Sequence, residues 1–201
     1  MISHPLGCIF VHIQKTGGSS IRQALQMMQH DADKHRFAHE LRARYGEACW
    51  DSYFKFAFVR NPWDRLVSWW RMIEQNAATG RPMNGWQRFV LSRARSFEEF
   101  LTNCDQEYHD HDGSKWIFRN QLDYISDAGG VIVDFVGRFE RLQADFTAVS
   151  SRLGVPPMQM PHVNRSGHRH YSGYYSEATS ILVAERFARD IAAFGYSFER
   201  R

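Results

Sequence analysis

The chain has 201 residues and a net charge of +3; 43% of its residues are hydrophobic and 23% are charged. These values are ordinary for a soluble globular protein, and the length suits a single domain over residues 1–201 with a sizeable core. The mildly basic balance suits an anionic ligand but does not require nucleic acid, so we expect no nucleic-acid partner.

The first predicted elements are a strand and a helix that flank a glycine-bearing loop. Cys8 to Ile13 is a short β-branched run, which is typical of a buried strand. Ser19 to Met28 carries apolar residues at helical spacing and therefore predicts a helix. Another short helix is expected over Phe37 to Tyr45.

A second strand and helix repeat this arrangement. Tyr53 to Val59 is aromatic and β-branched, which favours a strand. Asn61 and Pro62 fit the N-cap and first position of the helix that follows. The later predicted elements are a loop over 78–84, a helix that begins at Ser96, an exposed polar loop over 107–115, a strand over 131–139, a helix over 142–153 and a last helix over 176–194, which Gly195 ends.

The order of these elements indicates the fold class. Strands that alternate with helices predict an α/β fold with a largely parallel sheet. Ligands of such sheets bind at the carboxyl ends of the strands. Lys15 and Arg60 each follow closely on a predicted strand, so we expect both at that edge of the sheet.

The loop after the first strand has the composition of a phosphate cradle. Gly17 and Gly18 allow a tight turn and a close approach of backbone amides to an anion, and Lys15 adds a positive charge. Hydroxyl donors follow from Thr16, Ser19 and Ser20. This is not a Walker A motif, because the lysine precedes the glycine pair. The alternative is an ordinary glycine turn with a solvated lysine.

The segment after the second strand offers a further anion site. Arg60 carries a guanidinium suited to bidentate phosphate binding. Ser68 lies two helical turns beyond Asn61 and on nearly the same face, so it would complete the site. The alternative for Arg60 is an ion pair. Two anion sites at two strand ends suggest one ligand with two separated anionic groups.

The segments "HIQKTGGSS" and "FAFVRNPWDRLVS" together resemble the 5′-phosphosulfate loop and the 3′-phosphate element of sulfotransferases, nearest to the carbohydrate-type enzymes and their bacterial relatives. "VDFVGRFERLQADF", "AERFARDIAAFGYSF" and "HVNRSGHRHYSGYY" are similar to later segments of that family. Gln14 stands where the family usually has Pro, which is expected to loosen the loop entry. Arg141 stands where many relatives have Asn.

The resemblance implies a P-loop nucleotide-binding-like fold, a three-layer sandwich around the sheet. It implies in-line transfer of a sulfonate from 3′-phosphoadenosine 5′-phosphosulfate (PAPS) to an acceptor hydroxyl, with no essential metal. Lys15 would neutralise charge on the leaving phosphate. A histidine best suits the general base that the acceptor needs, and His35 is the first candidate, His39 the second and Glu40 an outside one.

The resemblance also assigns residues around the two ligands. Gln121 and Tyr124 lie in a segment similar to one that faces the acceptor cleft, and the acceptor is expected to be a small molecule or a glycan. Alternatively, this segment is a polar helix start. Contacts to the 3′-phosphate or adenine are expected from Asn164, Arg165 and Ser166, for which a basic surface loop is the alternative.

The sequence leaves two other functions open. A Mg²⁺-dependent nucleotide or small-molecule kinase would use Asp134, at the end of "VIVD", as a Walker B residue. A non-catalytic nucleotide-binding module would use the same loops without turnover.

The sequence also predicts a cytoplasmic location. No apolar run approaches the about 20 residues that a membrane span needs, and the N-terminus lacks the features of a signal peptide. Three widely spaced cysteines suit free thiols rather than a zinc or redox motif. The sequence does not indicate an oligomeric state.

Overall fold

The computed structural model describes residues 1–27, 33–110, 113–156, 158–160 and 169–201. These residues form two compact units. The first consists of the described residues of 1–60 and 121–160, and the second of those of 61–120 and 169–201.

Strands and helices alternate along the described part of the chain. The strands are β1 (Ile2–Ser3), β2 (Cys8–Val11), β3 (Phe54–Val59), β4 (Tyr108–Asp110), β5 (Gly113–Lys115), β6 (Ser126–Asp127), β7 (Gly130–Val131) and β8 (Phe135–Arg138). The helices are α1 (Gly18–Ala24), α2 (Ala38–Tyr45), α3 (Glu47–Ser52), α4 (Pro62–Ala78), α5 (Gly85–Arg93), α6 (Phe97–Asn103), α7 (Gln121–Ile125), α8 (Leu142–Arg152), α9 (Glu177–Arg186) and α10 (Ala188–Phe194). The prediction of a mixed α/β chain is therefore confirmed.

The first unit is built on a four-stranded sheet with the order β1-β2-β3-β8. Strands β2, β3 and β8 run parallel, whereas β1 pairs antiparallel with β2. All of β2 and most of β3 are buried, which explains their nearly continuous apolar sequences. The largely parallel sheet agrees with the sequence prediction.

Aromatic side chains fill the core of the first unit. The Phe10 and Phe56 rings stack across neighbouring strands with their centroids 5.0 Å apart. Gly137 lies opposite Phe58 in β8, where a Cβ would overlap the phenyl ring. The glycine thus lets β8 pack closely against a large residue of the adjacent strand.

The second unit contains the long helix α4, which begins as its sequence predicts. The side-chain oxygen of Asn61 accepts hydrogen bonds from the amides of Trp63 (3.1 Å) and Asp64 (3.4 Å), and Pro62 occupies the first helical position. Two tryptophans further along α4 are buried. Trp69 packs on Trp86 and Trp70 on Phe100, with ring centroids 5.0 Å and 5.6 Å apart.

The structure corrects three predicted elements. The predicted loop over 107–115 contains the antiparallel strand pair β4–β5. The hydrophobicity pattern does not indicate these strands, because most of their residues are polar. The predicted strand over 131–139 is interrupted, because Ile132 bonds to Ile125 whereas Asp134 bonds to Lys55. The predicted last helix is divided at the fully buried Phe187, which has φ −109° and ψ 23°. None of the helices in the described part of the chain is long and apolar enough to cross a membrane.

Candidate functional site

The loop between β2 and α1 is a strained turn that leads into a helix. Lys15 and Gly17 both have left-handed backbone angles, with φ 68° and 86°. The Thr16 hydroxyl donates a hydrogen bond to the Ile13 carbonyl (3.0 Å), and Thr16 is fully buried. This bond stabilises the turn on its buried side. Ser20 is also buried, whereas Ser19 is exposed. A positive φ costs free energy in a residue other than glycine. The rest of the loop therefore keeps Lys15 in a strained backbone conformation.

Both glycines of the loop are required by what surrounds them. At Gly17, a Cβ would lie 3.1 Å from the Leu142 side chain, in addition to the positive φ. At Gly18, a Cβ would overlap the imidazole of His12. His12, the residue after β2, therefore packs beneath the start of α1. A side chain at Gly17 would displace Leu142, and one at Gly18 would displace the His12 ring.

Lys15 and Arg60, which come from different strand ends, lie next to each other. The Arg60 guanidinium donates from Nη1 to the main-chain carbonyl of Lys15 at 3.1 Å. Burial, and secondly the nearby charge of Arg60, lower the pKa of Lys15 to about 8. Two cations in a partly desolvated position form an electropositive site, which an anion would stabilise.

Phe139 and Gln121 also help to hold Arg60 in place. It is 5% exposed, and its guanidinium carbon lies 4.0 Å from the centre of the Phe139 ring. Its backbone is bonded to Gln121, whose Oε1 accepts from the Arg60 amide and whose Nε2 donates to the Arg60 carbonyl, both at 2.8 Å. Sequence reasoning missed Phe139, although its position directly after β8 was a signal for this edge of the sheet.

Gln14, which precedes Lys15, is also fixed by a buried hydrogen bond. The Tyr124 hydroxyl donates to its Oε1 at 2.6 Å, and the Tyr124 ring packs on Phe37 with a centroid distance of 4.8 Å. The entry to the loop is therefore fixed at Gln14, although the sequence comparison with the family suggested a looser entry there. Tyr124 is 3% exposed and Gln121 is fully buried, so in the structure both side chains contact the two loops.

Of the two candidate histidines, His35 is the one that contacts the loop region. Its Nδ1 lies 3.0 Å from the carbonyl oxygen of His12, and the two imidazole rings are 4.5 Å apart. Because a carbonyl only accepts, Nδ1 carries the proton in the neutral ring and Nε2 is the acceptor nitrogen. His39 is exposed on α2, where it stacks on Phe37. The third candidate, Glu40, accepts from the Phe37 amide (2.9 Å) and pairs with Arg36.

His12 is buried and neutral. Burial, and then the neighbouring His35, lower its pKa well below the usual value. Its buried Nδ1 has no hydrogen-bond partner among the residues that the structure describes. Its ring fills the space under Gly18, which is a role that the sequence pattern did not reveal.

The structure describes only some of the remaining predicted site residues. Ser68 is buried on α4 in the second unit. Asn164, Arg165 and Ser166 lie outside the described residues. In the described ranges, no group of three or more His, Cys, Asp or Glu side chains is arranged to hold a metal ion.

Asp134 does not lie where a Walker B residue would. It precedes β8, and its carboxylate accepts from the Lys55 amide (2.8 Å) and pairs with the Lys55 ammonium (3.1 Å) near the start of β3. Ligands of parallel sheets bind at the opposite, carboxyl ends of the strands, about 13 Å away along a four-residue strand. The interpretation of "VIVD" as a Walker B strand is therefore wrong.

A family model described as the sulfotransferase family matches residues 1–197 of the chain. The chain belongs to the sulfotransferase family. The matched range contains the Lys15 loop, Arg60, His35 and α7, so the site described above lies within the family's domain.

The chain is also similar to two proteins, one of which is named as a sulfotransferase. An uncharacterized protein of Archaeoglobus fulgidus is 29% identical over 135 residues, which cover 65% of this chain and 92% of that protein. Carbohydrate sulfotransferase 14 of Mus musculus is 31% identical over 120 residues, which cover 52% of this chain and 30% of the mouse enzyme. No solved structure matches the chain.

Proposed function

We propose that this sulfotransferase takes its sulfonate from PAPS and transfers it to an acceptor hydroxyl. The observation that carries the proposal is the hydrogen bond from the Arg60 guanidinium to the main-chain carbonyl of Lys15. It brings two cationic residues together beyond the ends of parallel strands in a member of this family. We also propose that the unit around the sheet has the three-layer, P-loop-like arrangement of nucleotide-binding proteins.

The residues at the site fit a nucleotide with two anionic ends. The Lys15 loop offers a charge, the hydroxyl of Ser19 and the backbone at Gly17 and Gly18 to a 5′-phosphosulfate. Arg60 offers a guanidinium to the 3′-phosphate, and the sequence motif adds Ser68 to it. We further propose that Asn164, Arg165 and Ser166 contact the 3′-phosphate or adenine side, as the family resemblance implies.

His35 is the proposed general base. Bound PAPS would supply the sulfonate, which forms a bond to the acceptor oxygen as its bond to the 5′-phosphate oxygen breaks. His35 accepts the acceptor's proton at Nε2, and its bond to the His12 carbonyl keeps the proton of the neutral ring on Nδ1. Lys15 stabilises the charge that develops on the departing phosphate. His39 is the second candidate for the base.

The proposed acceptor is a glycan or a small molecule that carries a hydroxyl. The proposal of a glycan draws on the name of the mouse relative, which matches about half of this chain. We do not propose the kinase, because Asp134 lies just before the amino end of β8.

Calorimetric titration with 3′-phosphoadenosine 5′-phosphate (PAP), AMP and ATP, with and without Mg²⁺, tests the donor. We expect PAP to bind most tightly and without Mg²⁺. A preference for ATP with Mg²⁺ would overturn the proposal. Release of PAP from PAPS in the presence of a panel of glycans and small alcohols then separates an enzyme from a non-catalytic module, which would bind PAP without turnover.

A further inference from the structure

We propose that Gln121 and Tyr124 of α7 are positioning residues that hold the two anion-binding loops in their relative places before the nucleotide binds. This inference rests on the proposed function, since it concerns how the same site is organised. It assigns the two residues a role in donor binding that differs from the acceptor contact implied by the family resemblance.

Gln121 extends the backbone pairing of β3 by one residue. The last paired residue of β3 is Val59, opposite Arg138, so the buried backbone of Arg60 lies beyond the ladder. The amide group of Gln121 satisfies both polar atoms of that peptide residue, at 2.8 Å each. A buried backbone group left without a partner is costly, so this pair fixes the direction in which Arg60 leaves the sheet.

Tyr124 acts on the other loop from the same helix face. It lies three residues beyond Gln121, which is the spacing of neighbours on one side of a helix. Its hydroxyl donates to Gln14, the residue directly before Lys15. Packing on Phe37 fixes the ring that carries this hydroxyl. One short helix thus holds Arg60 itself and the residue adjacent to Lys15.

Such a support has a physical purpose because the positive charges of the Lys15 and Arg60 side chains repel each other. Lys15 and Arg60 are like charges in a partly buried site, and Arg60 disfavours the charged form of Lys15. Neutral hydrogen bonds from α7 oppose their separation without neutralising either charge. A site that is already arranged for a bisphosphate loses less free energy to ordering when the ligand binds.

The burial of both side chains argues for this role over acceptor binding. Gln121 is fully buried and Tyr124 is 3% exposed, and their polar atoms bond to the loops. An acceptor hydroxyl would have to enter a region from which solvent is almost excluded before it could reach either residue.

Binding of PAP and AMP to single variants tests the proposal, since the two ligands differ in the 3′-phosphate. Gln121→Met removes the bonds to Arg60, so we expect about a tenfold loss in PAP affinity and a much smaller loss for AMP. Tyr124→Phe removes only the hydroxyl at the Lys15 loop, so we expect roughly equal losses, about threefold to tenfold, for both ligands.

Two control variants carry the same substitutions and lose side-chain hydrogen bonds elsewhere in the protein. Gln87→Met removes the partly buried bond to the Asn84 amide, and Tyr53→Phe removes the exposed bond to His4. Both should leave the PAP and AMP affinities unchanged. Should Gln121→Met fail to fold, Tyr124→Phe still tests the support of the other loop, because it keeps the ring packed.

Three outcomes would overturn the inference. A fall in thermal stability with an unchanged ratio of PAP to AMP affinity in Gln121→Met would reduce that residue to a structural role. If either variant had an increased KM for the acceptor but bound PAP normally, the residue would contact the acceptor instead. Unchanged hydrogen exchange of the Arg60 amide in Gln121→Met, measured by NMR, would exclude the support itself. That measurement needs no nucleotide, whereas wild-type protein that fails to bind PAP would refute the proposed function.

Discussion

The guanidinium of Arg60 donates a hydrogen bond to the main-chain carbonyl of Lys15 at 3.1 Å. These residues are 45 positions apart in the sequence, and each follows a different strand of the parallel sheet. The contact makes one electropositive site from two sequence motifs.

The affinity for PAP should depend on the protonation of Lys15. Its pKa in the free protein is about 8, lowered from 10.5, and a bound phosphate raises it again because it favours the charged form. Binding therefore takes up a proton when the pH exceeds about 8, and the affinity should weaken there by up to about tenfold per pH unit. Below about pH 7 Lys15 is already charged, so its titration adds no pH dependence.

Calorimetry in buffers of different ionisation enthalpy measures this proton uptake. The control is Lys15→Arg, in which the guanidinium stays charged throughout this pH range. The fall in PAP affinity with rising pH should therefore be absent in this variant. An equal decline in wild type and Lys15→Arg would show that another group causes it.

Arg60→Ala should weaken PAP binding far more than AMP binding. A charge-assisted contact contributes about 1.5–3 kcal/mol, which corresponds to roughly a 10- to 150-fold loss for PAP. Titration of both nucleotides checks the prediction, with the exposed Arg88→Ala as control; the Arg88 guanidinium bonds only locally, to the Met83 carbonyl, in the described contacts. Equal losses for PAP and AMP would contradict a role for Arg60 at the 3′-phosphate.

His35→Ala should reduce kcat for PAP release about 10²- to 10⁴-fold, because the acceptor loses its base, while the affinity for PAP changes little. His39→Ala is the matched control, since His39 is exposed on α2 and stacks on Phe37. Steady-state kinetics with a saturating acceptor measures both. The reverse pattern, with His39→Ala inactive and His35→Ala active, would move the base to the helix.

Gly18→Ala should destabilise the protein by about 1–3 kcal/mol, because the added Cβ overlaps the imidazole of His12. Urea denaturation of the ligand-free protein measures the change. Gly173→Ala is the control, since a Cβ there would meet no atom within 4 Å and its φ is not positive. The double variant His12→Ala with Gly18→Ala should show a favourable coupling, and strict additivity of the two single effects would argue against the clash.

Local chemistry in the sequence determined much of the fold and indicated the family. Continuous apolar runs predicted the buried parallel strands, and Asn61-Pro62 and Ser176 marked helix starts whose side-chain caps the structure contains. The two motifs with Lys15 and Arg60 indicated the family, which the match over residues 1–197 confirms. These signals are readable because each depends on residues only a few positions apart.

Only the tertiary structure decided how the site is assembled. Gln121 and Arg60 are 61 residues apart, and Gln14 and Tyr124 are 110 apart, so no local pattern reveals that these pairs bond. The positive φ of His35 and its bond to the His12 carbonyl likewise depend on how the chain packs, and they distinguish it from His39. Periodicity records which side chains avoid water, whereas the partner of a buried polar group is set by contacts between distant segments.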